Sequence, residues 1–205
     1  MNYKVTISMP CYGRPLRTKR AIDSVINQTE KNWEALIVGD CCPNIQQLID
    51  SGEYNTDYPK ESRFVLENLP VNYGHCGYEI TNMNIQRARG EYFVFMANDD
   101  LILENHLEHY LSEIEGTEYD FVYFNSFTRF NGVRDSKLEI NHIGHSELII
   151  RTEFLKNMPY HTKDYGHDWQ LIANMIHKGA KYKKANSELT TYHVMSSPND
   201  LEDID

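Results

Sequence analysis

The 205-residue chain has no apolar run near the ~18 residues that a membrane-crossing helix needs. Its start, MNYKVTISMP, lacks the basic stretch and apolar core of a secretion leader, and none is expected. Positive charge is scarce: 20 Lys and Arg stand against 30 Asp and Glu, a net charge of −10. That balance argues against a nucleic-acid backbone as the main partner. It also means that an anionic ligand needs local help from a metal ion, a helix N-terminus or particular arginines. The 4 cysteines, Cys11, Cys41, Cys42 and Cys76, form no CxxC pair and no metal-site spacing, so they read as reduced thiols of a cytoplasmic protein. Also missing are a G-x-x-x-x-G-K-[ST] phosphate loop, a dinucleotide G-x-G-x-x-G after the first strand, a G-x-S-x-G elbow and H-E-x-x-H. The chain shows no internal repeat and no low-complexity linker. One domain is expected over residues 1–195, with an acidic, frayed tail at 196–205.

What is present is an alternation of strands and helices. Residues 5–9 are β-rich and buried in pattern, with Pro10 expected to end the strand. Residues 15–28 predict a helix with Pro15 in its first turn and Ile22, Val25 and Ile26 on one face. Strands follow at 33–38 and 63–66, a helix at 79–89 closed by Gly90, and a wholly apolar strand at 92–97 that should be central. The second half predicts a helix at 103–114, strands at 119–127 and 147–150, and a helix at 168–178. This pattern implies an α/β fold, a mostly parallel sheet flanked by helices, with a small second sheet in the C-terminal half.

Sheets of this kind bind ligands beyond the carboxyl ends of their strands. Three polar clusters fall there: Cys11-Tyr12-Gly13-Arg14, Gly39-Asp40 and Asn98-Asp99-Asp100. Asp99 and Asp100 are hard oxygen donors suited to Mg²⁺ or Mn²⁺, although such a pair can also be a solvated turn or a helix cap. Asp168 is either the N-cap of its helix or a general base kept ionised by the helix N-terminus. His106 and His109 read as surface residues. His142, His145 and His193 lie near strands, and His193 is the best third metal ligand, an imidazole that suits Mn²⁺ better than Mg²⁺.

Together these residues resemble the nucleotide-sugar-dependent glycosyltransferases of the GT-A fold, especially inverting family 2. The resemblance rests on residues 5–14, on Ala21-Ile22-Asp23-Ser24-Val25-Ile26-Asn27-Gln28-Thr29 with Asn32-Trp33-Glu34, on Ala88-Arg89-Gly90-Glu91-Tyr92 leading into Asn98-Asp99-Asp100, and on His167-Asp168. It implies a nucleotide-binding half at 1–100 and an acceptor-binding half at 101–195. Pro10, Tyr12 and Arg14 would border the base of a UDP-sugar, and Asp40 would accept the uracil N3 hydrogen. Asn72, Gly74 and Asn82 would lie near the nucleotide. Asp99, with Asp100 beside it and His193, would hold Mn²⁺ or Mg²⁺ against the diphosphate, and Asp168 would deprotonate an acceptor hydroxyl. Two departures stand out. The turn after the second strand keeps only its second acid, Asp40, and Asn98 replaces the acid that would face the ribose. A nucleotidyltransferase and a catalytically silent nucleotide-sugar binding module are the alternatives. Release of pyrophosphate rather than a nucleoside diphosphate would mark the first, and absence of transfer would mark the second.

Overall fold

The computed structural model describes residues 3–54, 63–129, 131–158, 166–185 and 188–193. The first half runs β1 (Tyr3–Cys11), α1 (Pro15–Ile26), β2 (Trp33–Gly39), α2 (Pro43–Ser51), β3 (Phe64–Asn68), α3 (Tyr78–Arg87) and β4 (Gly90–Phe95). The second half runs β5 (Leu101–Ile102), α4 (His106–Ile114), β6 (Phe121–Tyr123), β7 (Ser126–Thr128), β8 (Gly132–Arg134), β9 (Leu148–Arg151), α5 (Thr152–Lys156), α6 (His167–His177), β10 (Tyr182–Lys184) and β11 (Thr191–His193).

The large sheet has the order β10-β6-β9-β4-β1-β2-β3, and the small one β5-β11-β7-β8. In the large sheet β1 lies parallel to both β2 and β4, and β9 is antiparallel to its neighbours β4 and β6. The chain leaves β1 toward β2 and β3 on one side and returns as β4 on the other. The topological switch point therefore lies between β1 and β4, where such sheets place ligands.

The sheet forms because its central strands are buried on both faces. Every residue of β2 is buried, as expected for a parallel strand covered on two sides. One core, including Ile7, Met9, Ile22, Val25, Trp33 and Ile37, lies under α1. A second includes Phe93, Phe95, Phe121, Ile150, Leu171, Ile172 and Met175, under α6. Asn84 ties α3 to the sheet by donating to Ser8 Oγ at 2.9 Å and to the Leu36 carbonyl at 3.2 Å.

Several boundaries differ from the sequence expectation, each for a physical reason. Pro10 does not end β1. The Ser8 carbonyl accepts the Met96 N–H, so groups at that parity face β4, whose pairing with β1 stops at Phe95; Pro10 has no ladder partner to lose there. Gly90 does not close a helix but begins β4, and a Cβ there would lie 2.4 Å from the Thr6 nitrogen. The single strand expected over 119–127 is split at Phe124 and Asn125, and its halves belong to different sheets. Helix α2 lies outside the sequence expectation, because Gly39 and Pro43 read as turn residues whereas Pro43 opens the helix. The tail at 196–205 lies outside the described residues.

His106 and His109 are buried, not on the surface. His106 Nδ1 lies 3.1 Å from Thr190 Oγ1, and its ring packs on Tyr110. Burial, reinforced by His109, pushes the His106 pKa down to about 3. The unfolded chain titrates at ~6.5 and so gains the proton first as pH falls. This group's stabilisation is present above ~6.5 and is lost as pH drops toward about 3. Between pH 7 and pH 5, His106→Gln should lose ~2 kcal/mol less stability than the parent. Urea unfolding at both pH values tests this; equal losses would remove His106 from the acid response.

Candidate active site

The loops following β1, β2 and β3 are held in unusual backbone conformations. Arg14, Cys41, His75 and Cys76 all have φ between 50° and 55° despite carrying side chains. Such strain persists only where surrounding contacts enforce it, and it clusters at functional loops. Here the enforcing contacts are visible. Asp40, buried at the end of β2, accepts the Tyr73 N–H at 2.6 Å on one oxygen and the Gly74 N–H at 2.8 Å on the other. Asn72 returns a bond to the Asp40 carbonyl at 2.8 Å. Asp40, Asn72 and Gly74 are therefore one unit, a carboxylate clamp on the loop after β3. Asn98 plays a similar part across the switch point, donating to Thr18 Oγ1 at 2.8 Å and to the Tyr12 carbonyl at 3.4 Å. Tyr12 itself is 61% exposed, and Pro10 packs against Gly77, where a Cβ would come within 2.6 Å.

Asp99 and Asp100 leave β4 side by side, and both are buried. Arg14 pairs with Asp99 Oδ2, and Arg20 donates to the Asp99 carbonyl at 3.4 Å. Burial raises the Asp99 pKa, the Asp100 charge raises it further, and Arg14 offsets only part of this. Asp100 Oδ2 accepts from Ser146 Oγ at 3.1 Å and lies 2.9 Å from His193 Nδ1. The other face of that imidazole meets Glu147, with Nε2 3.5 Å from Oε1. Burial lowers the His193 pKa, but the two carboxylates win and raise it to about 10. His193 therefore carries a proton between two acids, and as a metal ligand it would have to release it.

A hard divalent cation fits the acidic pair. Asp100 Oδ1 is buried and has no hydrogen-bond partner among the described residues, and Asp99 is under-neutralised. The three expected ligands do not converge fully, since Asp99 is held by Arg14 while Asp100 and His193 pair with each other.

Asp168 is not the cap of its helix: α6 starts at His167 with Gly166 as N-cap, which puts Asp168 second in the helix. His167 Nε2 lies 3.2 Å and His145 Nδ1 3.8 Å from Asp168 Oδ1. The His145 ring stacks on Phe95 with centroids 4.7 Å apart, and burial pushes its pKa down to about 4. Burial works against the charge on Asp168 as well. The adjacent imidazoles and backbone N–H bonds outweigh it and hold the carboxyl below the usual carboxylate range.

The turn at 144–147 joins the two acidic centres. Ser146 bonds Asp100, His145 faces Asp168, and a Cβ on Gly144 would lie 3.6 Å from Asp168 Oδ2 and 3.9 Å from Glu147 Oε2. Asn82 stands elsewhere, in a hollow on α3 with Glu79, Met83, Gln86 and Arg87. Sequence reasoning gives Glu147 no place in the site and gives His167 none beyond standing beside Asp168 in the family motif. Glu147 was read only as the start of a strand, and its burial beside His193 and Arg134 has no local sequence signal.

Compared with known proteins, residues 6–186 match the model described as glycosyl transferase family 2. Over 204 residues the chain is 26% identical to the Escherichia coli UDP-Glc:alpha-D-GlcNAc-diphosphoundecaprenol beta-1,3-glucosyltransferase WfaP, covering 93% of this chain and 77% of that one. It spans less than half the length of other curated relatives, from Rickettsia bellii, Escherichia coli K12 and Rickettsia typhi. The crystal structure of Staphylococcus aureus TarS 1-349 in complex with UDP-GlcNAc aligns with a TM-score of 0.78 at 16% identity, covering 96% of this chain and 60% of that one. The mannosyltransferase PcManGT of Pyrobaculum calidifontis, in complex with GDP-Man and Mn²⁺, aligns at 0.72 and 14%, covering 97% and 59%.

Proposed function

Because the chain belongs to glycosyl transferase family 2 and has the GT-A fold, we propose that it transfers a sugar from a UDP-sugar to an acceptor hydroxyl, with inversion at the anomeric carbon. The observation that carries this reading is the turn at 144–147, which ties the acidic pair at the switch point to Asp168 on α6. A site for a charged leaving group and a site for a base thus border one short turn.

In this reading the strained loops after β1, β2 and β3 receive the nucleotide. Asp40 holds the 72–74 loop in shape with both oxygens and would accept the uracil N3 hydrogen on a remaining lone pair, and Tyr12 offers an exposed ring for the base to pack on. Arg14 supplies a guanidinium beside the diphosphate. Asp99 and Asp100, with His193 after loss of its proton, would hold Mn²⁺ or Mg²⁺, which supplies Lewis-acid neutralisation of the departing diphosphate. Asp168 takes the acceptor proton. Its lowered pKa keeps it ionised at neutral pH, and proton transfer becomes favourable as the new C–O bond forms and the hydroxyl turns acidic. His145 and His167 orient that carboxylate.

Calorimetry with UDP tests the donor half of the reading. Mn²⁺ or Mg²⁺ should tighten binding, and Asp99→Ala should lose most of that gain. Equal affinity in excess chelator would exclude the metal assignment. Release of pyrophosphate from the donor instead of UDP would favour the nucleotidyltransferase alternative.

A further inference from the structure

We propose that His145, His167 and Asp168 form a second metal site, selective for Zn²⁺, whose occupancy withdraws Asp168 from turnover. Among the described residues they are the only group of three His, Cys, Asp or Glu whose donor atoms all lie within 4.8 Å of one another. Zinc holds nitrogen and oxygen donors at ~2.0–2.2 Å, which puts neighbouring donors of a tetrahedral site about 3.3 Å apart. The two spacings to Asp168 Oδ1, 3.2 Å from His167 and 3.8 Å from His145, bracket that value. The donors come from two separately anchored elements. His145 sits in the turn ahead of β9 and is fixed by stacking on Phe95, while His167 and Asp168 are the first two residues of α6. None of the three side chains is sealed from solvent: Asp168 is 33% exposed, and the imidazoles 15% and 12%. Three protein ligands leave the fourth position to water.

Ligand chemistry separates this site from the acidic pair. Two imidazoles and one carboxylate suit Zn²⁺ or Co²⁺, whereas the oxygens of Asp99 and Asp100 suit Mg²⁺ or Mn²⁺. Zinc on Asp168 occupies the lone pair that would accept the hydroxyl proton. This regulatory half rests on the proposed role of Asp168 as base; the binding half does not.

Co²⁺ is the probe, titrated into the full chain with Mg²⁺ in excess. One equivalent should bind with the intense visible bands of a four-coordinate ion and no thiolate charge-transfer band, and Zn²⁺ should displace it. His145→Gln and Asp168→Asn, each checked for folding by its melting temperature, should weaken Co²⁺ at least tenfold, and Asp99→Asn should not. A pale six-coordinate spectrum, a thiolate band, or affinity lost in Asp99→Asn but kept in His145→Gln would overturn the site. Zinc saturation should also lower sugar transfer at least tenfold, reversibly on chelation. Undiminished transfer by the zinc-loaded protein would overturn the regulatory half. If Co²⁺ binds as described but the protein free of zinc and cobalt, with Mg²⁺ or Mn²⁺ supplied, transfers no sugar, the reading of function fails and the site stands.

Discussion

Asp168→Asn should lower sugar transfer by ~10²–10⁴-fold, the usual contribution of a general base, while folding and donor affinity stay near those of the parent. Asparagine keeps the shape of the side chain and can hydrogen-bond His167 and His145, but it cannot take a proton at neutral pH. The structure sharpens this test. Gly166 caps α6, so Asp168 carries no capping bond whose loss could mimic a catalytic defect. The remaining structural roles are a charge in the first helical turn, worth ~0.3–1 kcal/mol, and acceptance of the backbone N–H bonds of Asp168 and His145, which the asparagine oxygen can keep. Turnover with a working acceptor, measured beside melting temperature and UDP affinity, separates the two roles. Near-parental turnover would remove Asp168 from the mechanism and leave it as a first-turn acid.

Glu34→Ala should be the most destabilising of the substitutions considered, although Glu34 lies far from the switch point along β2. Its side chain is fully buried. One oxygen accepts from Thr6 Oγ1 and from the Arg89 backbone N–H, both at 2.6 Å, and the other from Arg89 Nε at 2.7 Å. Thr6 Oγ1 in turn accepts the Gly90 N–H at 2.9 Å. One carboxylate thus knits β1, β2 and the start of β4, the three strands whose far ends carry Arg14, Asp40 and Asp99. Removing one partner of a buried, hydrogen-bonded ion pair typically costs ~3–5 kcal/mol, against a total stability of ~5–15 kcal/mol. The Arg89 side chain is 32% exposed and can regain water, which puts the expectation at the low end, ~3 kcal/mol. For a chain of this size that is a fall in melting temperature of about 6–12 °C. Calorimetric melting reads it directly. A fall of less than about 2 °C would show that the network contributes no more than a surface pair.

A run of side chains encodes its own strand or helix locally, and those elements are legible before folding. The apolar strands, the helix marked by Pro15, the alternation of the first half and the polar clusters at three strand ends follow from periodicity and from the chemistry of Gly, Pro and Asp. They were enough to place Asp40, Asn98, Asp99 and Asp100 at one edge of a sheet. They were also enough to suggest a family that residues 6–186 then match. What the tertiary structure alone decided is which distant groups meet. Three positions show it: Gly90 reads as a helix stop but is required by the close approach of Thr6, His106 reads as surface but is enclosed with Thr190 and Tyr110, and 119–127 reads as one strand but is divided between two sheets. The gathering of His145, His167 and Asp168, and of Asp100, His193 and Glu147, is of the same kind. Apart from the adjacent pair His167-Asp168, each group joins residues many positions apart, with no period or spacing to read. The partners that charge and burial give each residue exist only once β9, α6 and β11 have packed against the end of β4.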